Sequence, residues 1–131
     1  MIHRGVTSSV YLLLLICSVM PAVYAADNSL FIKFKNEDLI NGRNLWIDNC
    51  KGCHAYGTAG APIPMLSDEW KHRVIKDKAV LYDHAINGFF GPDDTMMPER
   101  GGNENLTDRQ VKQAVDYMLS LAKHYLNKQS N

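Results

Sequence analysis

The sequence predicts an all-α domain in which four or so short helices are joined by long loops. In several segments apolar residues recur at three- and four-residue steps, the pattern of a helix with one buried face. Two stretches rich in glycine and proline, residues 55–64 and 89–105, separate these segments and are predicted to be loops. A chain of 131 residues is long enough for one domain. Helices as short as these bury little apolar surface. We therefore expect another group to fill the centre of the fold.

The first 25 residues have the pattern of a secretory signal peptide. A basic start is followed by the apolar run VYLLLLICSVM and by a small-x-small site that ends at Ala25. The apolar run is shorter than the roughly 20 residues of a membrane-spanning helix. We expect residues 1–25 to be removed, with cleavage after Ala25 or, as the next candidate, Ala26. An uncleaved anchor and lipidation at Cys17 are the alternatives.

Charge and cysteine content argue against two classes of protein. Lys plus Arg and Asp plus Glu both number 14, whereas a nucleic-acid-binding domain normally has a basic excess, so we expect no nucleic-acid partner. Of the three cysteines, Cys17 leaves with the signal peptide, and the mature chain of about 106 residues keeps Cys50 and Cys53. Two cysteines three positions apart do not make the disulfide framework of a small secreted domain.

The mature chain is predicted to begin with an arm, residues 26–36, followed by a domain over residues 37–131. The arm alternates apolar and basic residues, which is typical of a strand-like segment or a loose extension. A helix from Glu37 to Asn49 follows, with Asn36 as its N-cap.

Three further helices are expected. A short one over residues 67–76 is capped by Ser67, and another covers residues 78–87 with Gly88 at its C-terminus. The last helix has the strongest pattern, because the sequence TDRQ at residues 107–110 forms a capping box ahead of a long apolar stripe.

The pentapeptide CKGCH, residues 50–54, decides the chemistry. A zinc site needs four ligands, and this segment offers one cysteine pair with a histidine directly beside it. Thiol–disulfide exchange uses Cys-x-x-Cys at the start of a helix that follows a strand, whereas a helix precedes this motif. The third chemistry accounts for every residue, since Cys-x-x-Cys-His is the attachment signature of c-type haem. We predict one covalent haem c, attached through Cys50 and Cys53, with His54 as an iron ligand.

A covalent haem would also supply the missing core, because its large apolar ring would lie between the short helices. We therefore expect the chain without haem to be largely unfolded. Haem is attached covalently on the outer side of the bacterial inner membrane, which agrees with the signal peptide and predicts a periplasmic location.

The second axial ligand of the iron is expected to be a methionine. An electron carrier needs both axial positions filled, and a thioether opposite histidine raises the reduction potential. Met96 and Met97 lie in the second long loop, 42 and 43 residues after His54, far enough to cross to the other face of the haem. The alternative is that both are loop hydrophobes that line the haem crevice.

Other candidates for this ligand are weaker. Met65 follows His54 by eleven residues, which is close for a chain that must cross the haem. Met118 lies on the apolar stripe of the last helix and is expected in the core. His84 lies on a helix that should border the haem, and it is the competing histidine.

The motifs resemble a known family. CKGCH, GAP at residues 60–62, INGF at residues 86–89 and MPERGGN at residues 97–103 resemble the class I c-type cytochromes, in particular the small bacterial cytochrome c-five group. The resemblance runs from about Leu39 to Leu126 and implies the class I cytochrome c fold, with short helices wrapped around one covalent haem. The chain departs from the group's pattern in its Met-Met doublet.

The resemblance also implies roles for individual residues. Met97, the methionine before a proline, matches the family's iron ligand, and Pro62 matches the residue whose carbonyl accepts the other N–H of the ligating imidazole. Trp70 resembles an aromatic residue that packs near a haem propionate, with a plain core position as the alternative. A close crossing of the first and last helices is implied at Gly42, Trp46 and Tyr117.

The haem motif and the resemblance together predict a periplasmic monohaem electron carrier rather than an enzyme. It would take one electron from a quinol-oxidising complex and pass it to a terminal oxidase or reductase, and it would contact the membrane only through these partners. The alternatives are an electron-transfer subunit of a larger oxidoreductase and a five-coordinate haem enzyme or gas sensor. Small residues would let partners approach the haem edge at Ala55, Gly57, Gly60 and Ala61.

Overall fold

A computed structural model of the chain describes residues 28–92 and 94–130. The predicted signal peptide and the first two residues of the arm lie outside these residues. The helices are α1 (Glu37–Asn49), α2 (Lys51–His54), α3 (Ser67–Trp70), α4 (Lys78–Asn87) and α5 (Asp108–Gln129). Two short strands, β1 (Phe89–Phe90) and β2 (Met96–Met97), lie between α4 and α5, and 3-10 turns are formed by Asn28–Leu30, Thr58–Gly60 and Glu99–Gly102. The predicted all-α class is confirmed. Within the described ranges no helix has both the length and the apolar character to cross a membrane.

The crossing of α1 and α5 organises the fold. A Cβ atom added to Gly42 would lie 2.1 Å from the backbone oxygen of Gln113, so only glycine lets the two helix backbones come this close. Trp46 and Tyr117 are both 0% exposed, and their ring centroids lie 5.7 Å apart beside the crossing. The close crossing implied at these residues is confirmed.

The described part of the arm packs onto this crossing. Phe31 is buried, and its ring meets the Trp46 ring edge-on with centroids 5.0 Å apart. Arg43 Nε donates a hydrogen bond of 2.8 Å to the Phe31 carbonyl, and the Tyr117 hydroxyl donates one of 3.2 Å to the Ile32 carbonyl. The arm therefore contributes an aromatic residue to the core. Residues 28–36 contain a 3-10 turn and no strand.

Local side-chain bonds set the ends of the long helices. Asn36 Oδ1 accepts a hydrogen bond from the Leu39 amide at the start of α1, as predicted. The capping box predicted for α5 is present between Thr107 and Gln110. Gly88 ends α4 with a φ of +83°, a conformation that favours glycine.

The prediction for residues 67–76 was wrong in two respects. Ser67 is the first residue of α3 rather than its cap, Leu66 holds the N-cap position, and no side-chain cap bond forms. The helix ends at Trp70, and residues 71–75 form turns. A four-residue helix without a capping bond depends on tertiary packing rather than on local propensity, and the apolar spacing of Trp70 and Val74 did not reveal that.

The loop prediction for residues 89–105 missed a short hairpin. Phe89 pairs with Met97 and Phe90 with Met96 in antiparallel register, and the Gly91 amide donates to the Thr95 carbonyl at 2.8 Å to close the turn. Strands of two residues are too short to show alternation in the sequence. The hairpin is what brings the methionine pair back against the end of α4.

Candidate functional site

A large cleft lies between α2, α3, α4, the hairpin and α5. It encloses about 870 Å³ of empty space, part of it open to solvent. Its lining is mostly apolar. A smaller space of about 340 Å³ adjoins it and is also mostly apolar. Both spaces share His54, Ala85, Met97, Val115 and Met118.

The CKGCH segment forms a single helical turn at the edge of this cleft. The Cys50 amide donates to the Trp46 carbonyl and the His54 amide donates to the Cys50 carbonyl, so the helical path continues from α1 through α2. Cys50 and His54 are four residues apart and therefore lie on the same face of the helix. Both border the smaller space. Cys53 is exposed and lines the larger cleft. The three residues of the motif therefore border two spaces that have His54 in common.

One nitrogen of the His54 imidazole is hydrogen-bonded to the backbone, and this fixes the tautomer of the ring. Its Nδ1 lies 3.0 Å from the Pro62 carbonyl oxygen, which can only accept, so Nδ1 carries the proton and Nε2 keeps its lone pair. Burial lowers the pKa of His54, and the nearby positive charge of Arg73 lowers it further, against the opposing effect of the Pro62 bond. A neutral imidazole with a free nitrogen is the form that binds a metal.

The Cys50 thiol is poorly suited to free-thiol chemistry. Burial raises its pKa to about 11, and the neighbouring Cys53 adds to this effect. The thiolate is the reactive form in disulfide exchange, so this environment disfavours the exchange chemistry considered for the motif. An uncharged thioether, by contrast, fits an apolar setting.

The two adjacent methionines differ in their surroundings. Met97 is half-buried and lines both spaces, whereas Met96 is 55% exposed and lines only the larger cleft. Adjacent residues of a strand point to opposite sides. Gly88 contributes to this placement, because a Cβ there would lie 3.0 Å from the Met97 carbonyl oxygen. Glycine thus allows the loop that carries Met97 to lie against the end of α4.

The other ligand candidates are engaged elsewhere. Met118 is buried, and its sulfur accepts a hydrogen bond of 3.3 Å from Trp46 Nε1. Met65 packs against the hydrophobic core. His84 lines the cleft, but its ring stacks on Phe89 with centroids 4.0 Å apart.

Trp70 and Arg73 give the cleft a polar corner. Trp70 is 2% exposed, and in the described part of the chain its buried Nε1 has no hydrogen-bond partner. A buried N–H normally finds an acceptor, and a cofactor carboxylate would supply one. Arg73 also lines the cleft. No role was predicted for Arg73 from the sequence, although it lies three residues after Trp70.

The residues present fit a covalent haem. A mostly apolar cavity is bordered by two thiols, an imidazole nitrogen that has no partner among the described residues and a half-buried thioether, with the Trp70 N–H and Arg73 nearby. Groups of these kinds would tether a porphyrin, bind its iron and meet its carboxylates.

Comparisons with known proteins agree with this arrangement. The family described as "Cytochrome C oxidase, cbb3-type, subunit III" matches residues 37–118. The chain is 38% identical over 86 residues to cytochrome c-555 of Prosthecochloris aestuarii. This alignment covers 63% of this chain and 87% of that protein. It is also 36% identical over 86 residues to cytochrome c-555 of Chlorobaculum thiosulfatiphilum, and this alignment covers 66% of this chain and 99% of that protein. The same protein of Chlorobaculum tepidum is also 36% identical over 86 residues, covering 66% of this chain and 79% of the relative.

Proposed function

Because the chain belongs to the class I c-type cytochromes and carries covalent haem c, we propose that it moves single electrons between redox partners with His54 and Met97 as the axial ligands of the iron. It is an electron carrier and not an enzyme. The haem supplies one iron that gains and loses a single electron. The protein's own residues hold that group, fill its axial positions and control what reaches it.

Each site residue has a physical task in this proposal. Cys50 and Cys53 tether the haem through thioether bonds. His54 binds the iron through Nε2, while the 3.0 Å contact of its Nδ1 with the Pro62 carbonyl fixes the ring orientation and strengthens donation to the metal. Met97 supplies a soft sulfur ligand, which raises the reduction potential.

Trp70 and Arg73 complete the binding of the haem in this proposal. The unpartnered Trp70 Nε1 donates a hydrogen bond to a propionate. Arg73 lines the same cleft, its Nη1 donates to the Glu69 carbonyl, and its positive charge balances that of the propionate. The pairing of a buried N–H with a cation gives the anionic edge of the haem a defined position.

One observation supports the axial ligands most strongly. His54 and Met97 come from parts of the chain 43 residues apart, yet both line the same two adjoining spaces. Within residues 28–92 and 94–130, each presents a donor atom without a hydrogen-bond partner: Nε2 of the neutral imidazole and the Met97 sulfur. Met118, the other sulfur that borders both spaces, already accepts a hydrogen bond from Trp46.

A redox titration combined with carbon monoxide binding tests the carrier function. Purified haem-loaded protein should titrate as a single one-electron couple, and the reduced form should bind carbon monoxide slowly, because both axial positions are filled. Rapid uptake of carbon monoxide by the reduced wild-type protein would instead favour a five-coordinate enzyme or gas sensor.

A second candidate function is that of an electron-transfer subunit within a larger oxidoreductase. The name of the matching family, a subunit of an oxidase, favours this candidate. Isolation from native membranes at low ionic strength separates the two functions. A subunit would co-purify in fixed stoichiometry with a partner, whereas a diffusible carrier would be recovered alone.

We further propose that the protein works in the periplasm. Residues 1–25 form the signal peptide, residues 26–36 the arm and residues 37–131 the cytochrome domain. A quinol-oxidising complex reduces the carrier and a terminal oxidase or reductase oxidises it. The mass and N-terminal sequence of exported protein test this proposal, since processing after Ala25 gives a chain that begins at Ala26.

A further inference from the structure

The backbone three to five residues after Met97 has a left-handed conformation. Arg100, Gly101 and Gly102 have φ values of +51°, +65° and +84°. Glycine adopts this left-handed region freely, but a residue with a side chain does so at a cost in free energy. Arginine at the first of these positions therefore calls for a compensating role of its side chain.

The Arg100 guanidinium ties this loop to the start of α5. Its Nη1 donates a hydrogen bond of 2.8 Å to the Leu106 carbonyl, and its Nη2 lies 2.7 Å from Asp108 Oδ1 in an ion pair. The Arg100 side chain is 24% exposed and that of Asp108 is 58% exposed, so solvent screens the ion pair, whereas the bond to the Leu106 carbonyl is partly buried. The planar fork of arginine suits two acceptors at once, which a lysine ammonium does not match.

The acceptor end of this link is rigid. Asp108 is the first residue of α5, where the helix dipole favours a carboxylate, and the capping box holds the same turn. The loop has a second link at its far end, where Asn103 Nδ2 donates to Asn49 Oδ1 at 2.7 Å, next to the haem-binding segment. Arg100 lies between this link and Met97, and it lines the smaller space together with Met97 and His54.

We propose that Arg100 is a positioning residue that keeps the Met97 sulfur on the haem iron. The proposal rests on the proposed function, since it requires Met97 to be the ligand. The left-handed conformation of Arg100 persists only while contacts of its side chain offset its cost. Loss of the guanidinium fork frees the loop from α5, and the population in which the sulfur has left the iron increases. The open axial position then becomes available to an external ligand.

The variant R100G gives the sharpest test, because glycine relieves the backbone at φ +51° while removing the guanidinium. If Arg100 had only a general structural role, the variant would keep its methionine ligation. If it positions Met97, the weak far-red sulfur-to-iron absorption band should diminish and the apparent affinity of the reduced protein for carbon monoxide should rise about tenfold. D108N keeps an acceptor but removes its charge, so its effect should have the same direction and a smaller size.

The variant R43A is a matched control. Arg43 also donates a 2.8 Å bond to a backbone carbonyl, that of Phe31, but on the arm side of α1. It should leave the far-red band and carbon monoxide affinity unchanged. A wild-type band and wild-type carbon monoxide affinity in R100G would overturn the role of Arg100. A band that persists when Met97 itself is replaced would overturn the ligand assignment, and the role of Arg100 with it.

Discussion

Replacement of Gly42 by alanine should destabilise the protein strongly, because of the contact between α1 and α5. The new Cβ would lie 2.1 Å from the Gln113 backbone oxygen and 3.1 Å from Tyr117 Cβ. Backbone cannot rotate away as a side chain can, so the helices must separate by about 1 Å at their closest point. Extra atoms forced into a packed core lower the free energy of unfolding by typically 1–3 kcal/mol. We expect a clash with the backbone to cost an amount near the upper end of that range.

Thermal unfolding followed by far-ultraviolet circular dichroism measures this cost. For a domain of this size about 1 kcal/mol corresponds to roughly 4–8 °C, so G42A should unfold on the order of 10 °C or more below the wild type. G52A is the matched control, since a Cβ at this helical glycine meets nothing within 4 Å. It should be neutral or slightly stabilising. A G42A transition within about 2 °C of the wild type would refute the close crossing.

Three further predictions follow from the site. R73Q should lower the reduction potential on the order of tens of mV, measured by redox titration, because a positive charge that faces the cleft favours reduced iron; an unchanged potential would contradict this placement of Arg73. In the haem-loaded protein both nitrogens of His54 are engaged, Nδ1 by the Pro62 carbonyl and Nε2 by the iron of the proposed function. Only the unfolded state therefore takes up a proton at His54 as the pH falls below about 6.5, and the free energy of unfolding should decrease by up to about 1.4 kcal/mol per pH unit. Denaturant titrations between neutral and acidic pH measure this slope, and stability that rises on acidification would show the sign to be wrong. Replacing both Cys50 and Cys53 by serine should give a colourless and largely unfolded chain by circular dichroism, whereas native helix content without haem would show that the haem is not needed as core.

The sequence predicted the bounds of α1 and α4 and the start of α5 as they are observed, because local chemistry determines those ends. Asn36 caps α1, Gly88 ends α4, and the Thr107 capping box begins α5. Each signal depends on residues within three or four positions of the helix end. The haem-binding segment was equally easy to predict, because haem attachment requires two cysteines and a histidine at a fixed spacing.

The sequence did not predict features that depend on distant contacts. The early end of α3, the two-residue strands and the packing of Phe31 on Trp46 are set by tertiary structure rather than by local pattern. Arg73 and Arg100 were overlooked for the same reason. Their charge is typical of a solvated surface, and only the fold shows one of them facing the cleft and the other tying the Met97 loop to α5.

The absorption spectrum of the oxidised protein in the far red tests the axial ligation most directly, with M97A and M96A as a matched pair. The two residues are neighbours of the same type in one short strand, but Met96 is 55% exposed and Met97 is half-buried beside His54. The sulfur-to-iron band should be present in the wild type and in M96A and absent from M97A. A band that survives in M97A would show that another group holds the iron opposite His54.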